Sequence, residues 1–234
     1  MLIKTADYNF EESLSRIDQM LSFQIKNDEA YAAVPTFADL PAKGGIITYC
    51  SVMHIVINLS FGSYSQQLRL YRAFLSEAVA ILSSDRNCVD ILVQDKHLTA
   101  VFTTPFKNNI ESMIDKSAMI NTLAQVVSRK SNGLGLPELS IVIGIDYGEA
   151  MLMRFGKLNI SEVNPEGLVW IGRPMERAQE LTITPGHKWN IWISTIIYHN
   201  LSEEYTKFFH YEDERGCYGA GIINTYMKNW LNRQ

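Results

Sequence analysis

The sequence predicts an α+β domain built on a mixed antiparallel sheet with helices on one face. Three observations lead there. One run, Ile46 to Phe61, is long, β-branched and nearly uncharged, as a buried central strand is. Two segments carry apolar residues at helical spacing. The remaining strand-like runs come in pairs around short polar turns. The resulting order is strand, helix, paired strands, helix, paired strands, helix, a ferredoxin-like arrangement.

Phe10 to Ser22 places Leu14, Ile17, Met20 and Leu21 at helical spacing, and Pro35, Pro41, Gly44 and Gly45 then mark an extended, turn-rich connection. After the Ile46 to Phe61 strand, Gly62 to Ser65 break the pattern. Ser65 to Ser84 reads as an amphipathic helix with Leu68, Tyr71, Leu75, Val79 and Leu82 on one stripe. Cys88 to Pro105 is two β-rich runs flanking Gln94-Asp95-Lys96-His97, a hairpin. Ile110 to Asn132 is a second helix, stopped by Asn132-Gly133. Leu139 to Gly156 reads as two strands around Asp146-Tyr147-Gly148-Glu149, and Leu168 to Pro174 as another strand. Met175 then opens a short helix, and Lys188 to Asn200 is a late strand or helix start. The organisation expected is a helical extension over 1–40, a principal domain over 41–200 and a tail over 201–234 packing on it.

The 234 residues are 47% hydrophobic and 20% charged, enough apolar material for a sizeable core. No apolar run is long enough to span a bilayer, so no membrane segment is expected. The net charge of -4 argues against a nucleic-acid binder, which carries a basic face. Three cysteines, Cys50, Cys88 and Cys217, without C-x-x-C spacing fit a reducing cytoplasm rather than a disulfide framework or zinc knuckle. The N-terminus has no apolar signal region.

No P-loop, nucleophile elbow or H-E-x-x-H motif occurs, and the five histidines show no ligand spacing; each reads as a surface or satisfied core residue. Position is therefore the informative feature. Asp95 stands at the hairpin tip, where an acid is also an ordinary solvated turn former. If the hairpin runs beside the long strand, Asp95 faces Asn58 and the turn Ser60-Phe61-Gly62-Ser63 that enters the following helix. Hard cations take one or two carboxylates plus substrate phosphates, and turn amides at a helix start hold phosphate. Together these make a nucleoside triphosphate site.

In this order the segments IVINLSFGS, LYRAFLSEAVAIL, VDILVQDKHLTAVFTTP, IVIGIDYGEAMLMRFG and LVWIGRPMERAQEL resemble the class III nucleotidyl cyclases. Within that class they resemble the bacterial pyrimidine cyclases of Pycsar antiphage defence. The resemblance spans roughly residues 10–185 and implies a head-to-tail homodimer with sites between subunits, two Mg²⁺ or Mn²⁺ ions, and conversion of UTP (or CTP) to a cyclic monophosphate. A separate effector would sense the product.

Residue by residue, the resemblance puts Asp95 at the second metal carboxylate and Asn58 where the first would stand. An asparagine carbonyl coordinates Mg²⁺ but brings no charge. Ser60 to Ser63 would meet the phosphates. Glu176 falls at a family asparagine and Glu180 at a family cation, where an anion opposes developing phosphoryl charge. Arg173 and Arg177 stand close by as substitutes, with Arg177 expected on a different helical face from Glu180; a solvated helix face is the alternative for all four. The Lys and Asp that read purines are replaced by Ile91 and Val93 on one strand and Val169 and Trp170 on another. Tyr49 is the candidate for a pyrimidine base, or else a core tyrosine. Two readings follow: a pyrimidine cyclase, and a catalytically degenerate cyclase-fold protein that binds a nucleotide or a partner.

Overall fold

A computed structural model describes residues 10–22, 30–41, 44–155, 167–183 and 188–233. Among them, eight strands form one sheet. Its centre is β1 (Gly45–Leu59), whose whole length pairs antiparallel with β4 (Leu139–Phe155). On the other flank β1 pairs antiparallel with β3 (His97–Phe102), and β3 with β2 (Cys88–Gln94). The start of β4 carries β6 (Ile191–Ile193) in parallel, while its end carries β5 (Gly167–Ile171) antiparallel. Beyond β6 lie β8 (Cys217–Ala220) and β7 (His210–Glu212).

Alternation along β1 sorts its side chains between two cores. Met53, Ile55 and Ile57 face the main core with Phe74 and Leu82 of α2 (Tyr64–Ser83) and Met113, Ile114 and Ile120 of α3 (Lys107–Asn132). Cys50 and Val52 face the second core, which includes Trp170 of β5 and Ala178 of α4 (Arg173–Thr182). The mixed sheet with its two long helices on one face matches the sequence expectation, and the short α4 lies across the other face. That close approach needs a residue without a side chain: a Cβ on Gly144 would come within 2.1 Å of the Ala178 carbonyl oxygen.

Several local readings need correction. β4 is one continuous strand, not two around Asp146 to Glu149. Cys50↔Gly148 and Tyr49↔Glu149 keep the ladder unbroken there, and no residue of that stretch has the positive φ of a tight hairpin turn. The buried stripe of α2 is Leu70, Phe74, Ala78 and Leu82, stepping by four, and Leu68 is solvent-facing. Lys188 to Asn200 forms both β6 and the short α5 (Thr195–His199). The N-terminal helix α1 (Phe10–Leu21) falls where expected. Residues beyond Leu201 extend the sheet through β7 and β8. They also tie onto α3, where the Asn121 side chain donates to the Ile222 carbonyl at 2.8 Å and the Asn224 amide to the Thr122 hydroxyl at 2.8 Å.

Candidate active site

The β2–β3 hairpin closes through Asp95-Lys96, with Asp95 at φ 52°, a left-handed conformation that aspartate tolerates. Val56 pairs with His97, and one step on the Ile57 amide donates to the Lys96 carbonyl at 2.9 Å. Continuing that ladder sets Asp95 opposite Asn58, the exposed penultimate residue of β1. Alternation puts Asn58 on the same face as His54, the face that α4 covers. Asp95 also lies within electrostatic reach of Tyr71 on α2, whose hydroxyl pKa is raised by burial first and by that charge second.

Between the hairpin and α4 opens a cleft of about 500 Å³. Gln94, Asp95, His97, Thr99 and His54 line one wall, and Met175, Glu176 and Gln179 the other. His54 is buried; its Nδ1 lies 2.8 Å from the Thr99 hydroxyl and its Nε2 3.1 Å from His97 Nδ1. The two imidazoles stack with centroids 5.1 Å apart. Burial, with the neighbouring His97 adding to it, pulls the His54 pKa down to about 4, so His54 is neutral at physiological pH. Sequence reasoning placed these histidines on the surface or in the core. The missed signal was parity: His54 lies four residues before Asn58 on β1 and His97 two after Asp95, so strand register brings them to one face.

Of the four α4 residues singled out, Glu176 lines the cleft, while the arginines turn to Glu180. Arg177 donates to Glu180 at 3.1 Å and Arg173 at 3.3 Å, with Arg173 also 4.0 Å from Glu176. The expectation that Arg177 and Glu180 occupy different faces is wrong, because residues three apart on a helix are neighbours. The Arg177 hydrogen bond, followed by the Arg173 charge, holds the Glu180 carboxyl below its ordinary pKa. Beneath α4, buried Asp146 is pushed up by desolvation, against a hydrogen bond from Ser194 and the charges of Arg177 and Arg173.

The Ser60 to Ser63 turn is held by its own chain. Ser60 exchanges bonds with Glu138: its amide donates to the Glu138 carbonyl at 2.9 Å, and its hydroxyl accepts from the Glu138 amide at 2.8 Å. Ser63 caps α2 in a reciprocal box with Gln66, its amide donating to the Gln66 side chain at 2.9 Å. Phe61 is fully exposed, and Gly62 packs so closely on Pro137 that a Cβ would meet its ring at 2.3 Å. Tyr49 does not enter the cleft of its own chain. It lies on the opposite sheet face, stacked on Tyr147 at 6.0 Å. Trp170 is buried, with its indole N–H donating to Asp90 at 2.8 Å.

Among the described residues, no group of three or more His, Cys, Asp or Glu side chains converges to hold a metal. A carboxylate and an amide oxygen are donors that suit a hard cation completing its shell with phosphates and water, and Asp95 and Asn58 are the residues that would hold it. Among the same residues, no helix is long and apolar enough to cross a membrane.

No protein-family model matches the chain. It is 29% identical over 186 residues to a uridylate cyclase of Gulbenkiania mobilis, covering 74% of this chain and 70% of that one. A uridylate cyclase of Treponema porcinum is 25% identical over 237 residues, covering 97% and 82%. Among solved structures, a class III adenylyl cyclase-like ATP-binding protein from Pseudomonas aeruginosa superimposes with a TM-score of 0.64 at 13% identity, over 96% of this chain and 50% of that one. The chain therefore has the class III nucleotidyl cyclase fold, and its sequence resembles the uridylate cyclases.

Proposed function

We propose that the chain is a pyrimidine nucleotide cyclase that converts UTP to cyclic UMP and pyrophosphate, as a second messenger in antiphage defence. The observation that carries this reading is the register that sets Asn58, at the end of β1, opposite Asp95, whose hairpin tip lines the cleft beside α4. The ribose 3′-hydroxyl loses its proton to solvent water as its oxygen bonds to the α-phosphorus, the bond from the α-phosphorus to the α–β bridging oxygen breaks, and pyrophosphate leaves with that electron pair. Mg²⁺ or Mn²⁺, when bound, supplies positive charge to the triphosphate and the attacking oxygen. Asp95 and Asn58 hold that cation. Amides of the Ser60 to Ser63 turn meet phosphate oxygens, in competition with the Glu138 and Gln66 bonds. Arg173 and Arg177 answer the charge that grows on the α-phosphoryl oxygens once they leave Glu180. Tyr49 reads the base across the interface of a head-to-tail homodimer, since it lies away from its own chain's cleft.

A second reading rests on the Glu180 clamp: with both arginines neutralised and Asn58 in a carboxylate's place, the chain is a nucleotide-binding or partner-binding relative without turnover. Incubating the protein with each NTP and Mg²⁺ or Mn²⁺ separates the two. Cyclic UMP formed from UTP supports the enzyme. Thermal stabilisation by one NTP without product from any supports the binding protein.

A further inference from the structure

We propose that His97 is a third protein ligand of the cation, making the site one carboxylate, one amide and one imidazole. The proposal rests on the nucleotide-site reading, because it adds a donor to the Asp95–Asn58 pair. His97 follows Asp95 by two residues across the hairpin turn and lines the same cleft wall. Pairing with Val56 puts it on the face that Asn58 shares.

The decisive feature is what holds the ring. A metal-bound histidine coordinates through one nitrogen while the other is fixed by a hydrogen bond that sets tautomer and orientation. His97 Nδ1 is 3.1 Å from His54 Nε2, and His54 Nδ1 is 2.8 Å from the Thr99 hydroxyl. This relay runs into a buried residue of the central strand and stacks the two rings. Among the described residues no partner of His97 Nε2 is found, and in the tautomer whose Nδ1–H donates to His54 Nε2 that nitrogen has a lone pair to donate. His54 has both nitrogens engaged and is a positioning residue. A solvated surface histidine needs no such chain behind it.

The donor set selects the ion. Imidazole suits the later first-row ions best, and Mn²⁺, the weakest binder of that row, still accepts it more readily than Mg²⁺, which takes oxygen ligands and keeps much of its water. A site with a neutral amide in place of a carboxylate has lost charge that Mg²⁺ depends on, and gains a nitrogen that Mn²⁺ accepts. The site therefore binds Mn²⁺ in preference to Mg²⁺.

The test is pulsed electron paramagnetic resonance on full-length protein loaded with Mn²⁺, alone and with a non-cyclisable UTP analogue, alongside calorimetric titration with Mn²⁺ and Mg²⁺. Directly bound imidazole gives a ¹⁴N modulation in the wild type that His97→Gln abolishes. The same substitution weakens Mn²⁺ by about tenfold or more and Mg²⁺ much less, so the preference collapses. The wild-type ¹⁴N signal is decisive without any variant, so a His97→Gln chain that fails to fold leaves the proposal exposed. Mn²⁺ bound without ¹⁴N modulation, in a site that Asp95→Asn still destroys, overturns the His97 ligand and leaves the cation site standing. Mn²⁺ binding indifferent to Asp95→Asn, or no binding with or without the analogue, overturns the cation site itself.

Discussion

The Ile57 amide donates to the Lys96 carbonyl at 2.9 Å, and this bond holds the Asp95 turn against the end of β1. A main-chain bond of this kind survives side-chain substitution, so the Asn58–Asp95 relationship can be altered chemically without moving the scaffold. Asn58→Asp restores a second anionic ligand and is expected to raise divalent-ion affinity by roughly tenfold, because affinity follows ligand charge. Turnover of UTP rises with it, and Asp95→Ala abolishes both. Calorimetric titration with Mg²⁺ and Mn²⁺ and a product assay are the checks; unchanged affinity in both variants would show that the cation binds elsewhere.

On the proposed cyclase function, the two arginines of α4 are shared between Glu180 and the substrate. Glu180 accepts from both, at 3.1 and 3.3 Å, on an exposed helix surface where ion pairs contribute little stability. Glu180→Gln therefore leaves the melting temperature close to wild type while freeing cationic charge for the phosphoryl group. Glu180→Arg goes further, replacing an opposing anion with a cation. The expected order of turnover is Arg above Gln above the native Glu. A product assay that finds the reverse order removes α4 from the reaction.

Gly144 and Ala178 set how deeply α4 sits on the sheet. With the Ala178 carbonyl oxygen 2.1 Å from where a Cβ would be, Gly144→Ala must push α4 outward. Overpacking of this kind costs about 1–3 kcal/mol. Because α4 forms one wall of the cleft, nucleotide affinity is expected to fall as well. Urea denaturation checks the first consequence and nucleotide titration the second; a variant as stable as wild type would mean the helix shifts without cost.

Much of this architecture was legible in the residues. The uncharged, β-branched run around Val52 to Ile57 announced the central strand, and Asp95 between two β-rich runs announced the hairpin. What failed depended on partners distant in sequence. Asp146 to Glu149 has turn-like composition, yet pairing with Tyr49 and Cys50 keeps it extended. Leu68 fits a helical stripe, but the sheet selects the neighbouring stripe through Leu70 and Phe74. The His54–His97 relay joins residues 43 apart in sequence, and strand parity brings them to one face only once the register of the hairpin against β1 is known. The tail's role was hidden because β8 has meaning only beside β6.

Asp146 gives a pH dependence whose sign follows from burial. Desolvation raises its pKa in the folded chain above the unfolded value, outweighing the Ser194 bond and the two arginine charges. The native state therefore holds this proton more tightly than the unfolded chain. Its contribution to stability is fully present below the unfolded carboxylate pKa and is lost as pH rises through the raised folded value. Above that value the buried carboxylate is ionised and opposes folding. Asp146→Asn keeps the shape and one accepting oxygen while removing the charge. The variant is expected to melt higher than wild type near neutral pH, with the gap closing as pH falls to about 4. Melting curves across that range decide it: a variant that is less stable by the same amount at every pH would show that the carboxylate's hydrogen bonds, rather than its charge, govern this position.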